Sequence, residues 1–251
     1  MTLLEALLLI GVGILAGFIN VLAGGGSLLT IPLLIFMGLP SSVANATNRL
    51  GIFTQNIFAV RGFKSKGVRV TKFAYWLTVS SCIGSLIGSF AVVDIPDSVF
   101  NRVFALVMVC VMVLIVMKPK VSIENQIENF SQRRIWLSIV LFFFIGIYGG
   151  FMQAGIGFPI IAALTMVHAL PMTKVNSIKV FTALGYTTIA LIVFIYHELI
   201  DWKIGLTLAV GNAIGGWFTS RWSVSVPDKY LRWFLLVTVS VLAIKLWFFD
   251  R

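Results

Sequence analysis

The amino-acid sequence predicts an all-α, polytopic transmembrane bundle of two inverted repeats, each with a glycine-tipped broken hairpin plus three long spanning helices. Three observations predict it. Apolar residues make up 59% of the chain and charged residues only 11%, against about 25% charged in soluble domains. The apolar residues arrive in long blocks, and mean hydropathy is +1.01. The two halves of the chain also repeat one another.

A spanning helix needs about 20 mostly apolar residues. Eight stretches qualify: 3–22, 42–60, 73–93, 99–117, 135–153, 172–196, 203–220 and 230–249. Two shorter apolar stretches, 28–37 and 156–168, cannot span as helices; each follows a glycine cluster and precedes a proline. The N-terminus, Met1 to Glu5, has no basic n-region and reads as the start of the first membrane segment. The polar segment 118–134 divides the chain into a first repeat, 1–117, and a second, 135–251.

A shift of 131 positions pairs Ala23-Gly24-Gly25-Gly26 with Ala154-Gly155-Ile156-Gly157. It also pairs Leu39-Pro40 with Leu170-Pro171, Asn45 with Asn176, Gly84 with Gly215, and Pro96-Asp97 with Pro227-Asp228. Apolar matches are cheap in such a sequence, but Gly, Pro, Asn and Asp matches at one gap-free offset are not. Internal duplication is a common plan of secondary transporters.

Lys and Arg mark cytoplasmic loops. The turn after the second long stretch carries Arg61, Lys64, Lys66, Arg69 and Lys72, whereas its counterpart, His197 to Lys203, is acidic. Equivalent loops of opposite bias belong on opposite sides, so the repeats are expected to be inverted. Lys118, Lys120, Arg133 and Arg134 place the central linker in the cytoplasm; Arg221, Lys229 and Arg232 place the last turn there too. Asp94 and Asp97 then lie outside, as do both termini, in the plasma (inner) membrane of a prokaryote-type cell. A parallel repeat is the alternative, and it would put the basic turn and its acidic counterpart on one side.

The net charge of +10 does not indicate nucleic acid, since the basic residues sit between apolar blocks rather than on a soluble basic face. Cys82 and Cys110 fall inside apolar runs and read as small buried residues. No cofactor is expected. No metal-ligand spacing, nucleophile-and-base arrangement or ATP-binding motif is visible, so an enzyme or an ATP-driven pump is not expected.

Non-helical backbone at membrane depth survives where it lines a cavity or is buried in protein. The two tips, Gly24, Gly25, Gly26 and Ser27 in one half and Gly155 to Gly157 in the other, are where it is expected. Each opens a short helix whose free N–H groups can hold an anion; a hinge or a close-packing point is the alternative. Two basic residues lie deep in their segments, Arg49 and Lys179, and Lys179 aligns with Asn48, the neighbour of Arg49. No Asp or Glu lies deep enough to neutralise them, so an anionic substrate is the expected countercharge. Snorkelling, or pairing with helix C-terminal carbonyls, is the other reading. Asn20, Ser27, Thr30, Asn45, Thr47, Asn48, Gln153, Asn176 and Ser177 supply neutral donors around the expected site, though each could instead join two helices. Gly84-x-x-x-Gly88 and Gly211-x-x-x-Gly215 read as close-packing faces, and Trp202, Trp222 and Trp247 as an interfacial belt. His168 and His197 are expected at the interfaces.

These motifs resemble a known family. Gly17 to Ser27, Ile31-Pro32, Gly38-Leu39-Pro40 and Ala44 to Arg49 are similar to the sulfite exporter TauE/SafE family. Gly149-Gly150-Phe151 through Gly157, then Val175 to Val180, look like that family's second copy. The second copy departs at Ile156 and at Lys179. The resemblance implies a transporter of sulfur-containing anions: sulfite, an organosulfonate such as sulfoacetate, or a related oxyanion. Export is the direction expected, although uptake is also ascribed to members. Alternating access of the repeats around a midplane anion site is the expected mechanism; a passive anion channel or, less readily, a membrane-embedded enzyme are the other classes. The expected partners are the small anion and the lipid bilayer, with a homo-oligomer left open.

Overall fold

The computed structural model describes residues 1–117 and 128–223. The described residues fold into nine helices and no strand: α1 (Leu3–Leu22), α2 (Ser27–Phe36), α3 (Ser41–Ser65), α4 (Lys72–Val93), α5 (Asp97–Met117), α6 (Gln132–Phe151), α7 (Gly157–His168), α8 (Met172–Tyr196) and α9 (Trp202–Trp222). The expected stretch 230–249, with Pro227-Asp228, Lys229, Arg232 and Trp247, lies outside the described residues, as do Lys118, Lys120 and the side chain of Cys110.

Local chemistry sets the helix ends. Thr2 and Glu5 form a reciprocal capping box: the Glu5 N–H donates to Thr2 Oγ1 at 3.2 Å, and the Thr2 N–H to Glu5 Oε2 at 2.7 Å. Pro40 and Pro171 stand just before α3 and α8 at φ −53° and −65°. A proline ring fixes φ and pushes the preceding residue out of the helical region, so each chain end turns and a new helix begins. The Asp201 carboxylate caps α9 by accepting from the Ile204 N–H at 2.9 Å.

Helices α1, α4, α6 and α8 are long and apolar enough to cross a membrane. The chain is an integral membrane protein inside out relative to a soluble one. Leu3, Trp76, Phe218 and Tyr196 are exposed, while Arg49 and Lys179 are 0% and 3% exposed. Lipid takes the place of water around the apolar surface, and the polar side chains must find one another within. Helix α3 is long but less apolar because its inner face carries Asn45, Thr47, Asn48, Arg49, Gln55 and Asn56, all buried.

The packing comes in related pairs. Helix α4 lies on α6 and α8, while α9 lies on α1 and α3; α3 and α8 meet at the centre. The 131-residue shift converts the first set of contacts into the second. Glycines let these crossings close to backbone contact. A Cβ at Gly84 would meet the Phe143 carbonyl oxygen at 2.1 Å, and one at Gly215 the Ile14 carbonyl oxygen at 2.2 Å. Gly88 and Gly211 sit equally close to Ile147 and Ile10, so both spaced glycine pairs are packing faces. Trp202 and Trp222, half exposed, mark the two ends of α9.

Candidate functional site

The two short helices, α2 and α7, begin where the chain reverses inside the bundle. Gly24 and Gly155, equivalent under the 131-residue shift, both take positive φ, +80° and +68°. That region is open to glycine and costly for most other residues. Gln153 also takes φ +63°, and it is held there by several hydrogen bonds. It accepts from Arg49 and donates to the Tyr186 hydroxyl at 3.3 Å and to Thr187 Oγ1 at 3.1 Å.

The tips touch. The Gly157 N–H donates to the Gly24 carbonyl at 3.3 Å, and a Cβ on Gly24 would lie 2.1 Å from the Gly157 Cα. Gly26 packs just as closely on the Ala16 carbonyl. Neither α2 nor α7 has a side-chain N-cap, so the positive end of each helix dipole is met only by turn carbonyls. The Leu28 N–H bonds Gly25 and the Phe158 N–H bonds Gly155.

Both deep cations hold helix C-termini, and each reaches across to the other half. Arg49 on α3 donates to the Gly149 and Gly150 carbonyls in the last turn of α6, the latter at 3.0 Å, and to Gln153 Oε1. Asn45 Oδ1 lies 3.5 Å from it, and the Phe194 ring 5.5 Å below. Lys179 on α8 donates to the Val21 carbonyl in the last turn of α1 at 2.8 Å, and to Asn176 Oδ1 at 2.8 Å. A cation at a helix C-terminus satisfies orphan carbonyls and complements the negative dipole end. Among the described residues neither cation has a carboxylate partner; the ion pairs are Lys174–Glu128 and the N-terminus with Glu5.

The cations differ in what remains. Arg49 is spread over carbonyl and amide oxygens, with Nε left unpartnered. Lys179 has two acceptors for its three N–H bonds and lines a small cleft. Asn20, Gly24, Asn56, Gln153, Gly157 and Tyr186 line the same cleft. The Asn56 side chain is 1% exposed and its Nδ2 has no partner. Gln55 orders it by donating to Asn56 Oδ1 at 3.4 Å while accepting from Asn20 Nδ2 at 3.1 Å.

Of the residues expected at the site, Asn20, Gly24, Gln153, Gly157 and Lys179 gather at this cleft. Gly25, Gly26 and Gly155 shape the tips, and Ser27 and Ser177 are buried beside them in α2 and α8. Asn176 orients Lys179. Asn45 and Arg49 instead hold the end of α6, where Asn45 Nδ2 donates to the Phe151 carbonyl at 2.9 Å. Asn48 Oδ1 accepts from Thr30 at 2.6 Å, with its own Nδ2 unpartnered. Thr47 accepts from the Asp201 N–H at 3.0 Å and ties α3 to the cap of α9. His168, at the end of α7, is buried among protein groups: Nε2 meets Ser138 Oγ and Nδ1 meets the Asn129 carbonyl, both at 2.8 Å.

Asn56 and Tyr186 also line the cleft, and Gln55 orders Asn56; none of the three is among the residues expected at the site. A signal for them exists in the sequence. Gln55-Asn56 and Tyr186-Thr187 are polar pairs at the 131-residue offset, each in mid-helix.

Comparison with known proteins adds the following. The model of the family described as Sulfite exporter TauE/SafE matches residues 9–246. A protein of Sinorhizobium sp named probable membrane transporter protein ORF9 is 24% identical, over 92% of this chain and 88% of its own length. The probable membrane transporter protein YfcA of Escherichia coli K12 is 26% identical, over 94% of this chain and 87% of its own. A probable membrane transporter protein of Xylella fastidiosa strain 9a5c is 25% identical, over 98% and 97%. No solved structure matches the chain.

Proposed function

This chain belongs to the sulfite exporter TauE/SafE family of membrane transporters, and from that premise we propose that it carries a small sulfur-containing anion by secondary transport. The observation that carries the proposal is Lys179: a buried cation on the wall of a cleft, with no acidic partner among the described residues. An ionised group at membrane depth is costly unless something of opposite charge joins it. A sulfite, an organosulfonate or a related oxyanion offers that charge together with several acceptor oxygens. Lys179, Asn56 Nδ2 and the Tyr186 hydroxyl offer donors that match.

Arg49 then acts as a positioning residue that fixes the second tip, while Lys179 meets the anion. The opposite charge bias of the basic turn, Arg61 to Lys72, and the acidic turn, His197 to Lys203, supports two inverted repeats, 1–117 and 135–251. The reciprocal packing of α4 on α6 and α9 on α1 agrees with that plan. In this reading the central linker, 118–134, is cytoplasmic, both termini are outside, and export proceeds by rocking of the repeats about the touching tips.

The test is a thermal-shift screen of purified protein against sulfite, sulfate, thiosulfate and small sulfonates, followed by flux in proteoliposomes. A bound anion stabilises by mass action, by about 2.7 kcal/mol at a hundredfold excess over Kd. The hit is expected to lose both stabilisation and flux in Lys179→Ala. Wild-type flux in that folded variant overturns the proposal.

A further inference from the structure

Two apolar plugs lie on either side of the tips, and the 131-residue shift maps one onto the other. In the first, Val21, Ala59, Phe63 and Val180 pack together, with Val60 and Val68 against them. In the second, Met152, Ala190, Leu191 and Phe194 sit together in the larger central cluster that also holds Ile19, Ala46 and Leu50, with Leu199 packed against it. Val21 corresponds to Met152, Ala59 to Ala190, Val60 to Leu191, Phe63 to Phe194, and Val68 to Leu199. The five matched positions therefore fall in one cluster in each half. The departure is Val180, whose counterpart Arg49 lies over the Phe194 ring.

Each plug adjoins the polar centre. Val180 lines the cleft beside Lys179, and the Val21 carbonyl is the one Lys179 holds. Phe63 stands at the end of α3 that leads into the basic turn, and Phe194 at the end of α8 that leads into the acidic one. Both rings are almost fully buried, and each shares its cluster with an alanine, Ala59 or Ala190. A dry apolar constriction bars an anion because it offers no replacement for the hydration shell.

We propose that Phe63 and Phe194 are the paired gates of this transporter, each sealing the cleft from one face of the membrane. The proposal rests on the alternating-access reading above. Opening one gate swings its ring away from Ala59 or Ala190 and connects the cleft to that face alone. The gates alternate because each plug combines helices of both halves: α1, α3 and α8 in the first, and in the second the α6 tip and α8 with Ala46 and Leu50 of α3.

The test uses accessibility, which needs no transported ion. In full-length protein with Cys82 and Cys110 replaced by Ala, Asn56→Cys places a thiol on the cleft. A membrane-impermeant maleimide is applied to right-side-out and to inside-out vesicles. Phe63→Ala is expected to raise the labelling rate from the basic-turn face by about tenfold or more, and Phe194→Ala from the opposite face. Phe63→Leu and Phe194→Leu, which keep apolar bulk and fold most readily, are expected to give smaller increases on the same respective faces. Unchanged labelling in folded variants, or a rise on the same face in both, overturns the gates. With flux measured in the parent protein that keeps Asn56, face-specific labelling without anion flux would sustain the gates while sinking the transport reading; flux without any change in labelling would do the reverse.

Discussion

Gly24 and Gly157 meet backbone to backbone, the Gly157 N–H donating to the Gly24 carbonyl at 3.3 Å. No side chain fits between them, since a Cβ on either would lie 2.1 or 2.2 Å from the other's Cα. The contact joins the reversal of one half to the reversal of the other. Gly24→Ala and Gly157→Ala are therefore expected to force the tips apart, lowering thermal stability and abolishing anion binding. Gly11→Ala is the matched control, because a Cβ there meets nothing within 4 Å; it is expected to be neutral or stabilising by up to about 1 kcal/mol. Thermal unfolding of the three purified variants decides the matter, and equal effects would refute the close-approach argument.

Arg49 has a different role from Lys179, and its replacement should read differently. Arg49→Ala strips the Gly149 and Gly150 carbonyls and Gln153 of their donor at once. Unsatisfied buried acceptors of this kind cost about 2–4 kcal/mol together. A large fall in thermal midpoint is expected for Arg49→Ala, with partial recovery in Arg49→Lys, which cannot reproduce the planar fork. Lys179→Ala should fall less, since it frees one carbonyl and one amide oxygen. The reverse order of stability would contradict the assignment.

Asn56 offers a sharper probe of the cleft. Its Nδ2 is unpartnered and it shares the cleft with Lys179. Asn56→Asp introduces a carboxylate that can neutralise the ammonium group. The ligand-free protein is expected to become more heat-resistant, and the stabilisation by added anion to disappear. Asn56→Ala is expected to weaken binding roughly ten- to hundredfold. Anion-dependent thermal shifts measure both, and an undiminished shift in Asn56→Asp would place the anion elsewhere.

His168, at the end of the short helix α7 and outside the spanning helices, predicts a pH dependence. Burial pushes its imidazole below the usual value of 6.5, Arg134 acts in the same direction, and the Asn129 hydrogen bond opposes them. The unfolded chain therefore takes up the proton more readily than the folded one. Stability from this residue is complete above the unfolded value of about 6.5 and declines as pH falls through it. Thermal midpoints between about pH 8 and about pH 5 should decline less steeply in His168→Gln than in the parent. A slope indifferent to that change would assign the titration to another group.

Much of this architecture is legible in the letters, for a physical reason. Membrane helices must satisfy their backbone internally, so their lengths follow apolar run length; the expected 3–22 and 172–196 match α1 and α8. Gly24 and Gly155 announce their positive φ by residue type. Helix C-terminal carbonyls are one of the readings the sequence leaves open for the two cations, but which helix ends is not legible, because a backbone carbonyl has no signature in sequence. The lack of a deep carboxylate pointed toward an anion, whereas the fold first spends both charges on the ends of α1 and α6. Asn56 is not legible for a related reason. A polar residue in mid-helix reads equally as a helix-to-helix hydrogen bond until its neighbours are known.

The crossed arrangement of the cations has a consequence for how the protein is made. The Val21 carbonyl receives its donor from a residue 158 positions later, and Gly150 receives its donor from one synthesised 101 positions before it. At about 5–20 residues per second, the end of α1 waits roughly 10–30 s for Lys179 to be synthesised. During that interval the first half sits in the bilayer with an incomplete interior and Arg49 still unmatched. Neither half is a finished object until the other has entered the membrane.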